Sequence, residues 1–289
     1  MTALKDIKQK IRGVSTTQQI TRAMKMMSTA RLGRAMEQIN LTHSYIAKLE
    51  QIVQSLQGQL PAKYKHPCLT PRPVKNAGFI IIGGERGLCG GFNLELNRFA
   101  ATFIGEHPAP GKKLVVIGKK AVKFFQKQPF TLLECYPDLT VRNAGEELFE
   151  VSDYLFSLFR DAEVDEINLI YTSFVSPTRK YLASPRLLPL SPVDIEARHT
   201  ETRKQARPFD FTPSPTIIFD ELIPRYLRNL LHRAIIESSA SEQSARMAAM
   251  TSATDRAQEI IDELHLDFNR NRQALITREI AEVISGAEA

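Results

Sequence analysis

The chain of 289 residues contains no tryptophan and three cysteines, Cys68, Cys89 and Cys135. They are odd in number and far apart, which excludes a disulfide framework and a paired-cysteine zinc site. The six histidines are equally scattered, without the spacing of metal ligands. No run of eighteen apolar residues occurs, so no membrane-spanning helix is expected. The opening Met-Thr-Ala-Leu-Lys-Asp lacks the apolar stretch of a secretory signal, and a cytosolic chain is the expectation. Proline is absent before Pro61, and Gly13 and Gly33 are the only glycines before Gly58. Nothing in that first segment breaks a helix outright.

What fills the segment is a heptad seam. Leu4, Ile7, Ile11 and Val14, then Leu32, Ala35 and Ile39, then Ile46, Leu49, Val53, Leu56 and Leu60 keep one register. At 1.5 Å per residue such a helix is a rod of roughly 85 Å, which needs a partner helix to cover its seam. Gln18, Thr21, Lys25 and Ser28 interrupt the apolar rule. Polar seam residues either set register or face a different partner through contacts that break and remake. Ile20, Met24, Met26 and Met27 surround the same turns with adaptable apolar side chains. Residues 1–60 carry nine cations against Asp6, Glu37 and Glu50, so this segment is as positive as the whole chain at +6. The cations are spread along the rod, unlike the dense run of a DNA-gripping helix, and favour an acidic protein partner over nucleic acid.

After Leu60 the pattern changes. Pro61, Pro67, Pro71 and Pro73 mark an extended connector. Short apolar runs at 78–82, 114–117, 131–133 and 167–171 read as strands. They alternate with helical spacing over 93–107, capped by Asn93, and over 119–128 and 144–160. That alternation predicts a small, largely parallel, Rossmann-like sheet covered by helices. The loop after the first strand is glycine-rich, but Gly84, Gly87 and Gly90 give G-x-x-G-x-x-G where a dinucleotide site needs G-x-G-x-x-G. Gly118-Lys119-Lys120 lacks the hydroxyl residue of a phosphate-binding loop. These glycines are expected to serve a tight turn and a close backbone approach. No catalytic or cofactor constellation is present in this pattern.

Residues 177–215 are proline-dense and basic, with Pro177, Pro185, Pro189, Pro192, Pro208, Arg179, Lys180, Arg186, Arg198, Arg203 and Lys204, and read as an edge strand and a loop. Ser214-Pro215 is a helix start, and Pro224 is expected to kink or end its first segment. From Tyr226 a second long helix carries a small-residue seam, Leu227, Leu230, Ala234, Ser238, Ser241, Ala245, Ala248 and Ser252, suited to close approach of the first helix. Ile261, Leu264, Phe268 and Leu275 continue it, and Ile276, Ile280, Val283 and Ile284 line the last turns, where Ile276 and Ile280 are expected to face the partner helix. The predicted fold is α/β: a long antiparallel α-helical coiled coil of the N- and C-terminal helices (1–60 and 214–289), with a Rossmann-like α/β domain (75–210) inserted between them.

Three stretches now point to one family. IRGVSTTQQITRAMKMMSTARL at 11–32, RGLCGGFN at 86–93, and the pair SEQSARMAAMTSATDRAQEII at 241–261 and NRNRQALITREIAEVISGAEA at 269–289 resemble, in order and spacing, the gamma subunits of F-type ATP synthases. The resemblance covers essentially the whole chain. Departures are Asn271 in place of an alanine, Gly83-Gly84 in place of a hydroxyl-acid pair, and Gly33 in a helix normally free of glycine.

The resemblance implies a non-catalytic rotor without a cofactor. Its coiled coil would turn inside a ring of alpha and beta subunits. Its globular part would rest beside epsilon on a membrane-embedded ring of c subunits, on the cytoplasmic face of the cell membrane. It implies contacts to the alpha/beta ring from Arg22, Lys25, Arg272 and Gln273, and a structural loop of Gly87, Leu88, Cys89, Gly90 and Gly91. The family's chloroplast members carry an extra cysteine-bearing regulatory segment. No cysteine follows Cys135, so thiol control of that kind is not expected. Two other readings rest on the same residues. A Rossmann-like nucleotide-binding enzyme would bind ATP alone, and a coiled-coil scaffold would form a symmetric homodimer.

Overall fold

The computed structural model describes residues 2–61, 63–64, 66–141, 143–190 and 209–287. Pro192, Arg198, Arg203, Lys204 and Pro208 of the expected loop lie outside the described residues, as does the side chain of Ile284. The chain divides into two compact units, Met1–Ala30 with Arg246–Ala289, and Arg31–Ala245. The helices α1 (Thr2–Gln59) and α5 (Pro215–Ala287) contribute to both.

The first unit is a pair of antiparallel helices. Gln18 Nε2 donates to Gln258 Oε1 at 2.8 Å, and the hydroxyls of Thr21 and Thr254 meet at 2.8 Å. As the number rises on α1 it falls on α5, which defines the antiparallel sense. Leu4, Ile7, Ile11 and Val14 are half-buried along α1, and Ala257 and Ile261 are buried on α5. The polar interruption is part of the seam: Thr21 and Ser28 are buried, and Gln18 is half-buried against α5. Gln18 and Thr21 thus pair within the chain, which favours the register reading for them, while Lys25 is half-buried and remains open to another partner. A threonine pair and a glutamine pair satisfy each other only when the helices are in step.

That register also corrects the last turns. Counting back along α1 from the Thr21–Thr254 pair, the position opposite Ile276 would precede Thr2. Among the described residues no helix covers this stretch, and Ile276, Ile280 and Val283 are 45%, 55% and 72% exposed. Leu275 is half-buried. Ile276→Asp should therefore change the stability of the free chain by no more than about 0.5 kcal/mol, as for other surface substitutions. A drop of several degrees in a thermal melt would show that the residue is packed after all.

The second unit is a sheet with helices on both faces. Its strands are β1 (Asn76–Ile82), β2 (Gly111–Ile117), β3 (Thr131–Tyr136), β4 (Glu166–Ser176), β5 (Arg179–Ala183) and β6 (Arg186–Leu188). The order is β3-β2-β1-β4-β5, with β6 also paired to β4. The four strands seen in the sequence pair in parallel, while β5 and β6 return antiparallel on β4. Alternation along each strand builds two cores. Ile80, Ile82, Val115, Ile117 and Leu169 face α1 (Ile46, Leu49, Val53, Leu56), α4 (Ala144–Arg160) and α5 (Phe219, Ile223, Leu231, Ile235). Phe79, Ile81, Leu114, Val116 and Ile170 face α2 (Phe92–Glu106) and α3 (Lys119–Phe125).

Local signals held in part. Ser214 Oγ accepts from the Ile217 N–H at 3.4 Å at the start of α5. The α2 cap, however, is Gly91, and Asn93 lies inside the first turn, donating to the Arg86 carbonyl and to Cys89 Sγ. Pro224 does not break α5. It sits between the buried Ile223 and Tyr226, whose packing outweighs the one lost backbone bond. In the connector, Cys68 is fully buried, and burial pushes its thiol up to about 12. At pH 8 about one in ten thousand of these thiols would be ionised, so Cys68 should react with a disulfide reagent only on unfolding. Rapid labelling of Cys68 in the native chain, read by mass spectrometry, would contradict this burial.

Candidate functional site

In a doubly wound sheet the ligand crevice lies beyond the carboxyl ends of the strands, where the strand order reverses. Here that point lies between β1 and its parallel neighbour β4. The loop that follows β1 bends as the glycines require. Gly90 has φ +58° and Leu88, 64% exposed, has φ +59°. Gly83 stands so near Ala121 that an added Cβ would lie 2.5 Å from the alanine methyl. Gly87 and Gly91 lie on the same bend, and Cys89 is buried beneath it, with its thiol directed at the Arg86 carbonyl at 3.6 Å.

The crevice is occupied by the chain itself. Ser238 of α5 donates to the carbonyl of Ile82, the last residue of β1, at 3.1 Å. The Glu242 carboxylate accepts the N–H of Glu85 in the following loop at 3.1 Å. Ser241 donates to the Thr172 carbonyl of β4 at 3.4 Å. Of these groups the Glu85 N–H is the one donor a phosphate could use, and it is held by a carboxylate that would repel an anion. Titrating the purified chain with ATP in a calorimeter should show no saturable heat in the micromolar range, and such a heat would reopen the enzyme reading.

Beside α5 a cleft of about 530 Å³ remains, lined by Arg31, Arg34, Glu85, Arg86, Asp138 and Asn143 among others. Lys119 is ion-paired to Asp138 at 2.6 Å, a contact that raises the lysine above its usual range. The balance of the lining is cationic, as the basic α1 foreshadowed.

The four residues assigned as ring contacts do not form one cluster. Arg22 is exposed and Lys25 half-buried on α1, while Arg272 and Gln273 are exposed on α5. Thr21 lies opposite Thr254, so Arg272 is eighteen residues, roughly 27 Å, further along the pair. Arg272 and Gln273 therefore lie near the start of α1, far from the polar interruption. The sequence pattern did not reveal the polar face of α5 that meets the strand ends. Ser238 and Ser241 looked like small seam residues for α1 but point into the strand ends, whereas Ala248 and Ser252 are exposed. The adjacent Glu237 and Glu242, buried among serines, were the available signal.

The chain is thus an antiparallel helical pair together with a Rossmann-like sheet whose crevice is filled by its own helix. A family model described as ATP synthase matches residues 3–289. The chain is 37% identical to the ATP synthase gamma chain of Chlorobaculum tepidum over 295 residues, covering 100% of this chain and 99% of that one. It is also 37% identical to that of Moorella thermoacetica over 289 residues, with the same coverage. Its fold is similar to the rotor of the Euglena gracilis mitochondrial ATP synthase, with TM-score 0.65 and 17% identity over 95% of this chain and 99% of that one. It is likewise similar to a central-stalk chain of the Tetrahymena thermophila enzyme, with TM-score 0.57 and 21% identity over 81% and 99%. The chain belongs to the ATP synthase gamma-chain family. It is a non-catalytic subunit of the central stalk.

Proposed function

We propose that this chain is the rotor that couples ion-driven rotation of a c ring to ATP synthesis or hydrolysis at beta subunits. In this reading its partners are alpha, beta and epsilon subunits and the c ring. It would reside on the cytoplasmic face of the cell membrane, held there through the ring. No helix among the described residues is long and apolar enough to cross a membrane. The observation that carries the reading is full-length identity to gamma chains together with a crevice filled by α5, which leaves mechanical work rather than chemistry. The cationic cleft at Arg31, Arg34 and Arg86 suits an acidic partner surface. The test is co-purification from native membranes: alpha, beta and epsilon should come with the tagged chain as an ATP-hydrolysing complex. A tagged chain recovered as a homodimer would favour the scaffold reading instead.

Arg22, Lys25, Arg272 and Gln273 are proposed as the contacts to the alpha/beta ring, and Gly87 to Gly91 as a structural loop. Arg272→Ala combined with Gln273→Ala should leave the melt of the free chain unchanged, since both side chains are exposed. Loss of a charge-assisted bond worth about 1.5–3 kcal/mol should lower ATP-driven ion pumping of the assembled complex about tenfold or more. Unchanged pumping would remove both residues from the contact.

A further inference from the structure

We propose that the buried polar face of α5 from Glu237 to Ser244 is a torsional key, a set of positioning residues that holds the helix at one angle on the sheet under load. The proposal rests on the rotor reading and adds the place where torque passes between helix and sheet.

Five side chains on about two turns of α5 are more than nine-tenths buried: Glu237, Ser238, Ser241, Glu242 and Ser244. Each bonds to the carboxyl end of a strand or to the loop beyond it. Ser238 and Glu242 engage β1 and its loop, through the Ile82 carbonyl and the Glu85 N–H. Ser241 and Glu237 engage β4. Ser241 donates to the Thr172 carbonyl, and Glu237 Oε2 accepts the Ser173 hydroxyl at 2.7 Å and the Phe174 N–H at 3.4 Å. Ser244 donates to the Pro177 carbonyl in the turn after β4 at 2.5 Å. Arg233, one turn earlier, donates to Glu237 Oε1 at 2.6 Å.

The contrast lies on the same helix. From Phe219 to Ile235, α5 is held mainly by apolar residues, with polar ties from Tyr226 to Glu50 and from Arg228 to Ser152, and apolar burial has no preferred angle. Hydrogen bonds do, and they weaken steeply once misaligned. Turning α5 by one residue, about 100°, would carry all five side chains away from their partners. The bonds fall on two neighbouring strands, so rotation in either sense breaks a set. Stability alone does not explain the chemistry, because buried charges are commonly matched or bettered by apolar residues of the same volume. Specifying one register is the use of buried polar groups that does explain it.

The test uses the triple variant Ser238→Ala, Ser241→Ala, Ser244→Ala, which removes hydroxyls and little volume, beside Ile235→Val as a control for lost core packing. Spin labels go on exposed Leu94 of α2 and exposed Arg225 of α5, in a chain with Cys135→Ser. The expected result is a distance distribution about twice as wide in the triple variant and unchanged in the control. In the complex reconstituted into vesicles, ions pumped per ATP should fall to about half against a steep opposing gradient, with ATP hydrolysis retained and the control unaffected. An unbroadened distribution overturns the key, whatever the complex does. A broadened distribution with an unchanged ion-to-ATP ratio, or an equal loss in the control, overturns its role in transmission. Failure of the wild-type chain to enter any ATP-hydrolysing complex overturns the rotor reading instead.

Discussion

Gly118→Val should prevent the second unit from folding. Gly118 has φ +96°, a conformation that costs a side-chain-bearing residue about 1–3 kcal/mol. Space is shorter still: an added Cβ would lie 2.5 Å from the Gly83 carbonyl oxygen and 2.9 Å from its carbon. Both are backbone atoms and neither can swing away. The Gly83 N–H is held by the Ile117 carbonyl at 2.9 Å, and the Gly118 N–H by the Tyr136 carbonyl at 3.0 Å, so the two loops are tied to β2 and β3. Conformational strain and overlap together should exceed about 4 kcal/mol, a large part of the 5–15 kcal/mol available to a domain. The check is soluble yield and thermal melting. The opposite sign is expected at Gly33, where an added Cβ meets nothing within 4 Å. Gly33→Ala should stabilise α1 by up to about 1 kcal/mol. Equal behaviour of the two variants would mean that position in the fold does not govern these glycines.

Arg233→Ala should cost the free chain about 3 kcal/mol, near the lower end for breaking a buried pair, because the arginine side chain is 31% exposed while that of Glu237 is 3% exposed. Burial opposes the Arg233 charge, but the neighbouring Glu237 carboxylate, with Tyr171 and Glu50, outweighs it and holds the guanidinium above its ordinary range. Removing the cation leaves Glu237 with the Ser173 hydroxyl and one N–H but no counter-charge. At roughly 2–4 °C per kcal/mol for a chain of this size, melting should fall by about 10 °C. Arg233→Met together with Glu237→Leu should recover part of that loss, since Glu237 is then not stranded, although the buried Glu50 still loses the nearby Arg233 charge. A double variant as unstable as the single would show that packing, not the ion pair, sets the cost. The recovered variant would also be informative in the complex, where a missing Glu237 should still weaken coupling.

The elements were largely legible in the sequence because their causes are local. Apolar residues every three or four positions make a helix whatever the remainder of the chain does, and runs such as Phe79 to Ile82 make buried strands. Even the absent nucleotide motif was readable, since a phosphate loop is a short contiguous pattern. Three things were decided only by tertiary structure. Pro224 stays helical because buried neighbours on both sides hold it. Ile276 and Ile280 are exposed because the register set by Thr21 and Thr254, more than two hundred residues apart, puts no described residue of α1 opposite them. Ser238 and Ser241 key the sheet instead of lining the α1 seam because the carbonyls they bond belong to Ile82 and Thr172. Periodicity states that a helix has a buried face. Which partner that face meets depends on contacts between distant segments, and no local pattern encodes them.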